Sequence, residues 1–363
     1  MKRRATAILL AVVALASLYS AAAHGTFTNT SAQNALIHAP DATTTAARAI
    51  PDISKTPPSQ IAERDKLIAL FKPDDPSSIF TIVDTIAANP ALSFDCHEIA
   101  HDLGHKAYEL YGFAGAMNFT DTKRLDKPSV QDICAGGYVH GVLEEAALYQ
   151  PSFVDNPGEM CAQAPQGSRA SCFHGVGHAL MFANYRDVHA SVIECRKAGT
   201  SDEASRCFEG VYMELFWGST KYSGPDTLGW DPAKPFEPCI ETGADAKFAC
   251  FLYSSFGYLR NHAHDYTGAI SLCTQSKLIA QDEQYCLRGV GITMVSHFKA
   301  AHLEQSESFV AGLPAEDRYA FYKGVFGYGA LVGVSSSTLA GTCAGFNQDA
   351  DLCRAILEEN SAE

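Results

Sequence analysis

The stretch CFHGVGHALMFA, residues 172–183, puts one cysteine, two glycines and two histidines into a single apolar run. Cys172 has a near neighbour in Cys161, and the same close pairing recurs at Cys195/Cys207, Cys239/Cys250, Cys273/Cys286 and Cys343/Cys353. The separations are 11, 12, 11, 13 and 10 residues, and the first members step by 34, 44, 34 and then 70 residues. The last step is two units long. The unit it skips places Phe309 and Phe321 at the cysteine positions, an aromatic pair standing in for a disulfide.

The segments after each second cysteine resemble one another: CAGGYVHGVLEEA from 134, CFEGVYMELFWG from 207, CFLYSSFGYLRN from 250, CLRGVGITMVSH from 286 and FYKGVFGYGALVG from 321. Glycine stands three residues after the cysteine position at 137, 175, 210, 289 and 324. Glycine costs a helix interior about 1 kcal/mol against alanine, so its recurrence points to close backbone packing. Shorter amphipathic stretches, DVHASVIECRKAG (187–199) and TGAISLCTQSKL (267–278), fall between these segments. The expected fold is therefore all-α: an α/α helical-repeat solenoid with a period of about 36 residues, stapled by local disulfides. Each staple would tie the end of a short helix to the start of the next long one and stabilise by roughly 2 to 3 kcal/mol.

This pattern resembles the Sel1-like and tetratricopeptide α/α repeats, above all the cysteine-rich secreted Sel1-like proteins, over roughly residues 90–360. The resemblance implies a curved array and often peptide or protein binding, and it brings no catalytic residues. The alanine, leucine and tyrosine pattern of that family is poorly matched here, and GVG stands in its place.

The remainder of the chain fits an exported protein. MKRR, ATAILLAVVALASLY and SAAA read as the three parts of a signal peptide over residues 1–23. Residues 24–58, rich in Thr, Ala, Ser and Pro, read as a flexible lead-in, and 59–363 as the repeat domain. Export to a periplasmic or extracellular space is oxidising and suits 12 cysteines. After the signal, no stretch is long and apolar enough to span a membrane. Without residues 1–23 the chain has 24 basic and 41 acidic residues, a net charge of −17. So acidic a chain has no general attraction for nucleic acid or anionic lipid.

Six of the 13 histidines lie between 97 and 178. His97, His101 and His105 are spaced i, i+4, i+8, and the pairs His140/Glu144 and His174/His178 are spaced i, i+4. On a helix this spacing stacks side chains on one face, where imidazoles can chelate a metal ion. Counting from the cysteine position, His174 falls at +2, His140 and His178 at +6, and Glu144 at +10. Numbering the first unit from Asp95 puts His97, His101 and His105 at +2, +6 and +10. At 100° per residue these positions span about 200° to 280° of the helix. Three successive helices would then present one composite site for a divalent metal, with zinc first and copper or iron as alternatives. Later units carry Met213, Phe256, Ile292 and Gly327 at +6, which confines the site to the first three repeats.

HEIAH, residues 97–101, also resembles the zinc motif of HExxH metallopeptidases. That resemblance implies His97 and His101 as ligands and Glu98 as general base, with Glu144 or Glu145 as a third ligand on the next helix. The departures are Ala107 where the third metzincin histidine would stand, and the charged Asp102. AHDLGH resembles the core of HD-type phosphohydrolases, whose extra upstream histidine would have to be His24 or His38 in the lead-in. The leading expectation is a metal site, hydrolytic if catalytic, with Glu98 or Glu144 as proton acceptor. The alternative is a non-catalytic scaffold for a peptide or envelope protein. Cys96 and Cys134 are read as a bridge between adjacent long helices or as free thiols beside the histidines, and Glu144–Glu145 as a solvated face if no site forms.

Overall fold

The computed structural model describes residues 65–362, apart from 73, 76, 89–95, 121–135, 151–154, 163, 165–168, 218–229, 232, 263, 299–301 and 332–333. The stretches read above as a signal peptide and a lead-in, and Cys134, lie outside the described residues, as do the side chains of Cys96, Glu98 and His297. Every regular element among the described residues is helical. The helices belong to one compact unit, Ile50–Glu363.

Long and short helices alternate. After α1 (Ser78–Ala88) come the long α2 (Cys96–Met117) and α3 (Gly137–Tyr149), then short α4 (Pro157–Ala162) and long α5 (Arg169–Ala183). Short α6 (Val188–Cys195) precedes α7 (Ser201–Phe216), short α8 (Glu237–Glu241) precedes α9 (Lys247–Asn261), and α10 (Tyr266–Gln275) precedes α11 (Ala280–Phe298). The C-terminal part holds α12 (Ser306–Val310), α13 (Ala315–Tyr322), α14 (Tyr328–Leu331), α15 (Ser336–Gly345) and α16 (Ala350–Ala362). A π-turn at Lys323–Gly327 joins α13 to α14.

Local sequence explains where helices begin. Thr200 and Glu203 form a capping box at the start of α7, each side chain meeting the other's backbone N–H. Asp187 caps α6, Asp265 caps α10 and Ser335 caps α15 by accepting from the backbone N–H three residues on. All five close cysteine pairs are disulfides: 161–172, 195–207, 239–250, 273–286 and 343–353. Each joins a short helix to the long helix after it. At the skipped unit, Phe309 packs on Tyr266 and Phe321 beside Tyr322.

Consecutive long helices pack side by side from α2 to α11 and on to α13. Tyr138, Phe173, Tyr212, Phe251 and Phe321, one from each of five long helices, are fully buried between them. Burying such side chains stabilises by roughly 1.5 to 3 kcal/mol each. The recurrent glycines set how closely these helices approach. A Cβ at Gly141 of α3 would lie 2.0 Å from the carbonyl oxygen of His101 on α2, and one at Gly104 of α2 would lie 2.1 Å from that of Tyr138 on α3. Gly177 and Gly210 make the reciprocal contact between α5 and α7, at 2.1 Å from Cys207 O and 1.9 Å from His174 O. Any side chain at these points would force the helices apart. In the C-terminal half, Gly289 meets Leu252 O and Gly324 meets Arg288 O in the same way.

Candidate metal centre

The close helix contacts decide where the histidines meet. Glycines of α3 and α7 press on the backbone carbonyls of His97, His101 and His174 themselves. The side chains on the flanks of these contacts are therefore drawn together. His97, His101 and His105 come from α2, His140 and Glu144 from α3, and His174 and His178 from α5; all seven converge with Glu214 of α7. Their donor atoms form four overlapping groups of three: His97–His101–His140, His140–His174–His178, His101–His105–Glu144 and Glu144–His178–Glu214.

His101, His105, His140 and His178 are at most 4% exposed, and both Glu144 and Glu214 are fully buried. His97 and His174, each four residues before a buried partner, are the two partly exposed histidines of these groups. Glu145 is buried as well, so the Glu144–Glu145 pair is no solvated face. The reason is that α3 is covered by α2 on one side and α5 on the other.

His101 Nε2 lies 3.2 Å from His97 Nε2. Two nitrogens bound to one tetrahedral zinc ion at ~2.05 Å would lie about 3.3 Å apart, so this pair is already at chelating distance. The His140 ring is stacked on His174 at 4.9 Å and on His178 at 4.8 Å, and meets the edge of His97 at 5.2 Å and of His101 at 5.3 Å. Buried His140 Nδ1 and His178 Nε2 have no hydrogen-bond partner among the described residues. Leaving a buried polar atom unsatisfied costs about 1 to 3 kcal/mol, which a metal ion at these nitrogens would offset.

Two carboxylates are hydrogen-bonded directly to these imidazoles. Glu144 Oε2 accepts from His105 Nε2 at 2.7 Å, and its Oε1 lies 3.0 Å from His101 Nδ1. Glu214 Oε2 accepts from His178 Nδ1 at 3.0 Å, and its Oε1 accepts from Arg186 Nη1 at 3.0 Å. Burial by itself would raise the Glu144 carboxyl, but His101 and His105 hold it well below the usual carboxylate range. The same opposition, with His178 and Arg186 prevailing over burial, lowers Glu214. Burial and then the neighbouring rings of His178, His174, His97 and His101 push His140 well below an ordinary histidine. The His174 ring, flanked by His140, His178 and Tyr253, is likewise lowered by burial and then by His178 and His97. Neutral imidazoles are the form that binds metal.

Glu214 and Arg186 were not among the sequence candidates. Glu214 stands at +7 of its unit, about 340° around the helix and outside the sector that singles out the histidines. The one signal was a lone charge in the apolar run VYMELFW. Two further histidines are exposed: His262 stacks on Tyr258 at 4.4 Å, and His264 occupies a turn with φ 64°. No helix among the described residues is long and apolar enough to cross a membrane.

Compared with protein-family models, curated proteins and solved structures, the chain finds no match.

Proposed function

We propose that this protein is an exported, disulfide-stapled α/α repeat protein of Sel1-like character that carries one divalent-metal site on α2, α3 and α5. The observation that carries this reading is the pair of buried, partnerless nitrogens, His140 Nδ1 and His178 Nε2, within a shell of further imidazoles. The ligands are drawn from His97, His101, His140, His174 and His178. A donor set of imidazoles suits zinc first, with copper or iron as alternatives. The five local disulfides support export to an oxidising space.

When bound, such a metal would supply Lewis acidity and lower the pKa of a coordinated water. A hydrolytic reaction is the activity this chemistry supports best, with substrate entering past His97 and His174. Glu144 turns both oxygens to His101 and His105, which suits holding those rings and His105 in particular behind the ligands. Proton acceptance then falls to Glu98, beside His97 in sequence.

The test is the metal content of the mature, oxidised protein by mass spectrometry, beside a His101→Ala/His178→Ala double variant. Near-stoichiometric metal that is lost in the variant supports the site. No metal in either sample, even after reconstitution with zinc or copper, would leave the peptide- or envelope-protein-binding scaffold in its place.

A further inference from the structure

Resting on the metal reading, we infer that Glu214, locked by Arg186, is a positioning residue that fixes the His178 ring so that Nε2 faces the metal, and is not itself a ligand. The turn between α5 and α6 sets this lock. Tyr185 and Arg186 both adopt positive φ, 53° and 66°, although neither is glycine. Such a conformation costs on the order of 1 kcal/mol or more and persists only where the surroundings enforce it. Here the Arg186 backbone N–H donates to Met181 O at 2.6 Å, and the turn aims the guanidinium across to α7. Nη1 donates to Glu214 Oε1 at 3.0 Å and Nη2 to the Glu214 backbone carbonyl at 3.1 Å. The carboxylate is thus held by its side chain and its backbone at once.

The other oxygen, Oε2, accepts from His178 Nδ1 at 3.0 Å. A carboxylate accepts only, so Nδ1 carries the proton, and the metal-binding form of the ring then offers its lone pair at Nε2. Nε2 is the buried nitrogen without a partner. This is the carboxylate–histidine–metal relay by which outer carboxylates orient ligands. Direct ligation by Glu214 is disfavoured because both its oxygens are engaged and a guanidinium stands against it. His178 stacks on His140 at 4.8 Å, so a rotated His178 ring would disturb its neighbour as well.

The test uses the full mature chain with zinc as probe, and compares wild type with Glu214→Gln and Arg186→Gln. Three readings are taken: zinc dissociation constant by chelator competition, nearest-neighbour atoms by X-ray absorption, and the His178 tautomer in the metal-free protein by 15N NMR. Circular dichroism checks that each variant is folded, and the milder Arg186→Gln serves if Glu214→Gln is not. We expect the Nδ1–H tautomer in wild type, its loss in Glu214→Gln, and zinc binding weakened about 10- to 100-fold with the number of nitrogen neighbours unchanged. Loss of an oxygen neighbour in Glu214→Gln would make Glu214 a ligand and overturn the inference. So would zinc affinity equal to wild type in a folded variant, or an Nε2–H tautomer in wild type. If wild type binds no zinc, the metal reading fails, and the tautomer alone still decides whether Glu214 orients His178.

Discussion

The carbonyl oxygen of His174 lies where a side chain on Gly210 would be, 1.9 Å from the position of its Cβ. This contact joins α5 to α7, and its counterpart between Gly141 and His101 joins α3 to α2. Both carbonyls belong to residues of the candidate site, so helix spacing and site geometry are one quantity. Gly210→Ala and Gly141→Ala should each destabilise by about 1 to 3 kcal/mol and weaken metal binding. Gly341→Ala, in α15 with open space around it, should be neutral or stabilise by up to about 1 kcal/mol and leave metal binding alone. Urea unfolding and zinc titration of the three variants check this. Equal stability for all three would show that the glycines are not what sets the spacing.

The disulfides should separate stability from site geometry. Cys207 carries the carbonyl that packs on Gly177, beside His178, whereas Cys343–Cys353 lies at the C-terminal end in α15 and α16. Removing either bridge by a paired Cys→Ala change frees a short loop and should cost about 3 kcal/mol. Only the Cys195→Ala/Cys207→Ala variant should also bind zinc more weakly. A matching loss of affinity in Cys343→Ala/Cys353→Ala would mean that the centre depends on global stability and not on the α5–α7 contact.

Much of this arrangement was legible in the sequence because cysteine and glycine each have a narrow structural use. Cys161/Cys172 and its four counterparts lie close enough in sequence for local closure, and all five form. The glycine three residues after five of the cysteine positions marked a close approach, which the Gly210–His174 contact makes explicit. The i, i+4 spacing of His97/His101 and His174/His178 placed rings on common faces, and the helices bring those faces together. What periodicity does not carry is what lies behind a face. Glu214 faces the cluster from a fourth helix at a different angle, and Arg186 reaches it from a turn whose positive φ has no glycine to announce it. Likewise the alternative of a solvated Glu144–Glu145 face, open beside the placement of Glu144 in the cluster, is closed only by the packing of α3 between α2 and α5, which buries both.

The metal-free protein should lose stability as pH falls through the histidine range. His140 and His174 are held well below the ordinary histidine value in the fold. In the unfolded chain they take up protons near pH 6.5. Below that pH the unfolded state binds more protons than the folded state, so acidification favours unfolding, by up to about 1.4 kcal/mol per pH unit for each group. Glu144 adds to this with the same sign at lower pH. Its folded value is depressed, so its contribution is present above the unfolded carboxylate range and is lost as pH falls further. The apo Tm should therefore drop between pH 7.5 and 5.5, and His140→Gln should flatten the slope. A Tm independent of pH over that interval would mean that these rings take up protons in the folded protein just as they do in the unfolded chain.

Zinc binding should show as stability, and the choice of controls decides whether the cluster is responsible. A ligand present at about 100 times its dissociation constant stabilises the folded state by about 2.7 kcal/mol if the unfolded chain does not bind it. Saturating zinc should therefore raise Tm by several degrees, and chelator should reverse the shift. His178→Ala removes a buried nitrogen that faces its neighbours without a partner, so it should abolish most of the shift. His262→Ala removes an exposed ring stacked on Tyr258 and should leave the shift intact. The free cysteines of a partly reduced sample would also bind zinc, so the comparison is made on protein with all disulfides formed. A shift that survives His178→Ala but is lost in His262→Ala would move the metal to the exposed turn at His262 and His264. A shift lost only when α2 loses His97 would instead confine the ion to the His97–His101–His140 group and leave His174 and His178 as packing.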